Sequence, residues 1–115
     1  MSTERIRRVN EAMREVLSDA LTHDLKDPRV GFVTVTDVKT SPDLRHARVY
    51  VSVLGDEAAV EGSLEGLQSA HGFLQGRVAS ELRLKNTPTL QFIHDDTAAR
   101  AARVEKLLHD TEGRM

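Results

Sequence analysis

Cysteine is absent from this 115-residue chain, and so is tryptophan. Without cysteine there can be no disulfide, no thiolate metal site and no cysteine nucleophile, and the absence fits a reducing compartment. Aromatics are scarce: Phe32, Phe73, Phe92 and Tyr50 are all the chain has, so its core is expected to be mostly aliphatic. No apolar run approaches the roughly 20 residues that span a bilayer. The N-terminus carries no apolar segment of the signal-peptide kind. A cytoplasmic protein without membrane association is expected. Neither sign of charge dominates: 16 Lys and Arg stand against 18 Asp and Glu, a net charge of -2. Global charge therefore gives no hint of nucleic-acid binding, and any basic surface must come from how charge is distributed. The three prolines, Pro28, Pro42 and Pro88, all fall at breaks between periodic segments. The length suits one domain with one core.

What is present is strongly periodic. Ile6, Val9, Met13, Val16, Leu17, Ala20 and Leu21 recur at helical spacing, which predicts a first helix capped by Ser2 or Thr3 and fading near His23 or Asp24. Asp27-Pro28-Arg29-Val30-Gly31 reads as a helix stop and a turn. Phe32 to Lys39, rich in Val and Thr, reads as a strand. Ser41-Pro42-Asp43 is a turn signal. Ala47, Val49, Val51 and Val53 then alternate with Arg48, Tyr50, Ser52 and Leu54, a second strand. The short link between the two favours an antiparallel hairpin.

From Asp56 to Leu84 the pattern is helical again, with Val60, Leu64, Leu67, Leu74, Val78 and Leu82 on one face. Midway stands Ala70-His71-Gly72. Glycine in a helix interior costs about 0.5–1 kcal/mol relative to alanine, so two helices meeting at a kink are expected, with one helix carrying a tolerated Gly72 as the alternative. Ala70 and Gly72 are small enough to admit another backbone. The half before the kink is acidic and the half after it carries Arg77, Arg83 and Lys85. Thr89 to His94 predicts a third strand. A last helix is expected to bear Ala101, Val104, Leu107 and Leu108, with Arg100, Arg103 and Lys106 on its exposed side. The predicted fold is α+β: a three-stranded sheet under helices packed on one face. Val33/Val35, Ala47/Val49/Val51/Val53 and Leu90/Phe92 are the expected core of the sheet, and Phe92→Ala is expected to cost about 3–5 kcal/mol if fully buried.

Enzymatic motifs are missing. The five histidines make no ligand spacing, and His94-Asp95-Asp96 is better explained as a strand end followed by a helix cap than as a metal site. There is no P-loop and no Gly-x-Ser-x-Gly. The expectation is no enzyme, no metal and no cofactor.

Taken in order, the pieces resemble the ribosome-binding factor A family. They are Lys26-Asp27-Pro28-Arg29 with Gly31, Ser41-x-Asp43-Leu44, Ala47-x-Val49-Tyr50-Val51, Ala70-His71-Gly72-Phe73, Leu82-Arg83-Leu84, and Pro88-x-Leu90-x-Phe92 with Asp95. The resemblance runs from about Arg5 to Leu108. It implies a type II KH-like domain of order α-β-β-α(kink)α-β-α, here residues 1–109, followed by a flexible tail, residues 110–115. Ala70-His71-Gly72 fits the family's Ala-x-Gly interhelical kink. It also implies a monomeric assembly factor that binds the free or immature 30S subunit, contacts 16S rRNA and its precursor, and assists late maturation. That role includes 5′-end processing and is associated with growth in the cold. The Gly-x-x-Gly loop by which ordinary KH domains clamp a nucleic-acid backbone is missing, which favours shape and phosphate recognition of folded rRNA.

Arginine and lysine are the residues able to reach phosphates. The candidates are Arg5, Arg7, Arg8 and Arg14 on the first helix, Lys26 and Arg29 in the turn, Arg77, Arg83 and Lys85 after the kink, and Arg100, Arg103 and Lys106 on the last helix. For any one of them ordinary solvated charge is the commoner reading; the family resemblance favours at least one of the helical clusters touching RNA. His71 reads as a surface residue in the variable position of the kink, with base stacking or a phosphate contact as the sharper alternative. A protein–protein adaptor of the same fold, using the acidic face from Asp56 to Glu65, is the competing reading.

Overall fold

A computed structural model describes residues 3–97. Helix α1 (Thr3–His23) is followed by strands β1 (Val33–Thr40) and β2 (His46–Val53), helices α2 (Glu57–Ser69) and α3 (His71–Leu82), and strand β3 (Thr89–His94). The expected last helix, with Arg100, Arg103 and Lys106, lies outside the described residues, as does the tail. Strand order is β1-β2-β3. β1 and β2 form the expected antiparallel hairpin. β3 lies parallel to β2, as a connection through two helices permits.

Alternation decides the two faces of the sheet. Ala47, Val49, Val51 and Val53 point to the helices and are buried, together with Leu90. α1 packs over β1 and against α3, and α2 covers β3. Val9, Met13, Leu17 and Ala20 of α1 meet Leu67 of α2 and Leu74 and Val78 of α3 in one core. That core is aliphatic with one thioether. Truncating a fully buried member such as Leu17 to Ala should cost about 2–5 kcal/mol.

Two expectations for the sheet need correction. In β1 the pairing shifts between Val35 and Asp37, leaving Thr36 as the extra residue of a bulge. Plain alternation would aim Asp37 at the core. The bulge aims Val38 there instead, so Val35 and Val38 are buried and Val33 only partly. Phe92 is half-buried, so the cost of truncating it should fall below the fully buried range. Phe32, at the mouth of the hairpin, is 81% exposed.

The central stretch is two helices. Asp56 caps α2 by accepting the Ala59 N–H at 2.9 Å, which satisfies one of the otherwise unpaired amides of the first turn. The break falls on Ala70 alone (φ −90°, ψ 6°). Its N–H closes α2 on the Gly66 and Leu67 carbonyls, and its own carbonyl opens α3 by accepting the Leu74 N–H. The expected close approach is not at Gly72, where an added Cβ would meet nothing within 4 Å among the described residues. It is at Gly66, where a Cβ would stand 2.6 Å from the Val30 side chain. The turn before β1 is seated there. Ser63, fully buried on the same face of α2, accepts the Gly31 N–H at 3.2 Å.

Candidate nucleic-acid interface

The structure sorts the predicted cations by what already neutralises them. On α1, Arg7 and Arg8 share Glu4 at 2.9 and 3.4 Å, and Arg14 pairs with Glu11. These are pairs three or four residues apart on an exposed helix face, the spacing at which side chains meet. Arg7 and Arg14 hold the Glu4 and Glu11 carboxyls below their ordinary range. Arg5 is exposed on the same helix. Surface pairs of this kind are weak, so phosphates could replace the carboxylates.

In the turn, Pro28 presets the backbone and the Val30 N–H closes on the Asp27 carbonyl at 3.0 Å. Asp27 accepts from the Arg29 amide (2.9 Å), Nε (3.1 Å) and Nη2 (2.8 Å). These bonds to the ionised form pull the Asp27 carboxyl down to about 2. Arg29 is thereby clamped, while Lys26 is exposed and has no ion pair among the described residues.

Arg77 has an intramolecular role that sequence reading missed. Its guanidinium reaches Asp24, Asp19 (3.3 Å) and Glu81 (3.1 Å). The side chain is only 25% exposed, and it ties α3 to the end of α1. Only the Glu81 pairing, four residues on, is local; no local pattern signals the link to α1, because Asp24 and Asp19 lie more than fifty positions away.

Arg83 and Lys85, like Lys26, differ from the paired arginines. Arg83 ends α3 in the left-handed region (φ 50°, ψ 42°), its N–H closing on the Ala79 carbonyl. Both side chains are exposed and neither has an ion pair among the described residues. The chain then runs through Asn86 and Thr87 to Thr89, whose N–H donates to the Arg45 carbonyl at 2.8 Å. Lys85 is thus brought to the end of the sheet where the β1–β2 turn lies. Arg45, His46, Asn86, Thr87 and Thr89 line one hollow there. The kink residue His71 contributes differently: its Nδ1 lies 3.0 Å from the Gln68 carbonyl. That geometry suits a side-chain cap on a carbonyl of the α2 C-terminus, with Nδ1 as the donor.

Four basic or titratable residues at this end were not among the sequence candidates: Lys39, Arg45, His46 and Arg48. The signal for Arg48 was the alternation of β2, which places it opposite the buried valines. Among the described residues no group of three or more His, Asp or Glu side chains could hold a metal ion, and no helix is long and apolar enough to cross a membrane.

Comparison with known proteins places this geometry. The profile of the family described as Ribosome-binding factor A matches residues 5–108. The chain is 53% identical over 104 residues to the ribosome-binding factor A of Anaeromyxobacter sp. (strain K), covering 90% of this chain and 75% of that one. It superposes on the crystal structure of ribosome-binding factor A from Thermus thermophilus with a TM-score of 0.69 and 28% identity, covering 77% of this chain and 94% of that one. A homology model of the Thermus thermophilus factor, fitted into the cryo-EM map of a 30S complex, aligns with a TM-score of 0.64 and 29% identity, covering 76% and 91%. The fold shared with these structures is KH-like.

Proposed function

Because the chain belongs to the ribosome-binding factor A family, we propose that it binds the free or immature 30S subunit as a monomeric, cytoplasmic assembly factor. It contacts 16S rRNA and its precursor and assists late maturation, including 5′-end processing, with its largest effect in the cold. It works by binding one rRNA arrangement more tightly than others, without catalysis and without a cofactor. The observation that carries the reading is the family match along residues 5–108. The relative fitted into a 30S complex supports the choice of partner. Phosphates would be met by the exposed cations that no carboxylate already holds, Arg83, Lys85 and Lys26 first. The helix cations Arg5, Arg7, Arg8 and Arg14, and Arg100, Arg103 and Lys106 beyond the described residues, would add to them.

Co-sedimentation with immature subunits, mature subunits and polysomes across a salt series tests this. Binding that prefers free or immature small subunits and weakens with salt is expected. No association with any ribosomal particle at low salt would overturn it. Primer extension on 16S precursors in cells lacking the protein, at low and ordinary temperature, tests the processing role. The competing adaptor reading rests on the exposed carboxylates of α2, Glu57, Glu61 and Glu65. It would show as subunit binding that ignores both salt and ribonuclease.

A further inference from the structure

The face of the sheet opposite the described helices carries an arrangement that the helical basic clusters do not explain. In register, Lys39 of β1 stands opposite Arg48 of β2, and Arg48 stands beside Gln91 of β3. All three are exposed, in a row that spans two inter-strand spacings, roughly 10 Å. Like charges directly opposite each other on paired strands repel. Here neither cation has a carboxylate partner among the described residues. The Lys39 ammonium sits instead over the Tyr50 ring, 5.7 Å from its centre. Asp37, Tyr50 and Ile93 form the next row of the same face, and Asp37 and Asp95 line a hollow there with Lys39 and Tyr50.

A cleft runs along the Lys39–Arg48–Gln91 row, with Ser41, Pro42 and His46 also in its lining. Through His46 and Thr89 it continues into the hollow that holds Arg45 and Asn86, next to Lys85. The nearby Asp43 is turned to the loop itself. Its carboxylate accepts from the Ser41 hydroxyl at 2.6 Å and the Arg45 amide at 3.1 Å, and it stands 3.9 Å from Arg45 Nε. Along this surface Lys39, Arg48 and Lys85 have no ion pair among the described residues, whereas Arg45 has the long contact to Asp43.

We infer that this cleft on the open sheet face binds a single-stranded segment of RNA. The inference rests on the ribosomal-RNA reading above and assigns it a second surface, separate from the helical clusters. Phosphates supply the counter-charge that Lys39 and Arg48 lack. Gln91 and Asn86 each offer a donor and an acceptor, which suits unpaired base edges. The Tyr50 ring offers a π surface of the kind on which bases stack. A duplex hides the Watson–Crick edges and the base faces.

Fluorescence anisotropy tests the inference on the whole chain, with three labelled probes: a short mixed-sequence single-stranded RNA, the same strand annealed to its complement, and polyglutamate. The single strand is expected to bind most tightly. Lys39→Gln with Arg48→Gln should lower its affinity by about tenfold or more and reduce the slope of log affinity against log salt by about 0.7 per lost phosphate contact. Arg48→Lys should keep the slope, and Tyr50→Leu should weaken binding without changing it. Thermal melting should be unaltered, since the replaced cations are exposed. An unchanged affinity and slope in the double variant would overturn the inference. So would equal binding of duplex or polyglutamate. Co-sedimentation of the unmodified chain with small subunits is run in parallel. If it persists while the double variant binds single strands normally, the sheet face is wrong and the assembly-factor reading stands. If it fails outright, that reading falls on its own.

Discussion

Gly66 and Gly72 flank the kink, and the structure predicts that replacing each with alanine will have opposite effects. At Gly66 the new Cβ would lie 2.6 Å from Val30 Cγ2 and 3.5 Å from Arg29 Cβ. Carbon atoms prefer about 3.5–4.0 Å, so Val30 would have to retreat by close to an ångström. It is not free to do so. Its N–H is bonded to Asp27, and the next residue is held by buried Ser63. Overpacking of this kind costs about 1–3 kcal/mol. Alanine recovers about 0.8–1.0 kcal/mol of helix propensity. The net is a loss of about 0–2 kcal/mol. At Gly72 nothing opposes a Cβ among the described residues, and Gly72→Ala should stabilise by about 0.4–1 kcal/mol. Urea unfolding followed by circular dichroism measures both, with midpoints compared at constant m. Val30→Ala combined with Gly66→Ala should be less destabilised than the two single losses added. A Gly72→Ala variant less stable than Gly66→Ala would refute the assignment of close packing to Gly66.

Arg83→Gly should separate stability from binding. It relieves a left-handed backbone that costs a non-glycine residue about 1–2 kcal/mol, less the backbone entropy glycine loses, so the melting temperature should rise slightly while small-subunit affinity falls. Arg77→Ala should lower the melting temperature by removing the link among Asp19, Asp24 and Glu81. Arg77→Lys, lacking the planar fork, should restore it only in part. Asp27 and Asp95 both sit at about 2 against an ordinary 3.8. Asp95 is held by the Thr97 hydroxyl and amide and by the Thr36 hydroxyl. Their folded pKa values are depressed, so their contribution is present above about 3.8 and is lost as pH falls towards about 2. Melting temperatures should drop across that window, and less steeply in Asp27→Asn and Asp95→Asn.

Sequence and structure divide the explanation along a physical line. Element order, the bounds of β3, the Asp56 cap and the one-sided burial of β2 follow from neighbours in the chain. Periodicity, capping chemistry and proline stops act over a few residues, so they are legible in one dimension. The break at Ala70 was foreseen to within the motif, though the small residue that matters for packing is Gly66. Nothing local could reveal that Arg77 is committed to carboxylates of α1, that the Thr36 bulge turns Val38 inward, or that Val30 rests on α2. The row of Lys39, Arg48 and Gln91 has the same origin. Each residue sits unremarkably in its own strand, and only the parallel docking of β3 beside β2, with β1 on the other edge, sets the three side by side. The amino-acid sequence by itself determined which faces would be apolar and where the helices and strands would stop. Which cations remain unpaired was decided by tertiary structure, because charge pairing depends on distances between segments that only the packed core brings together.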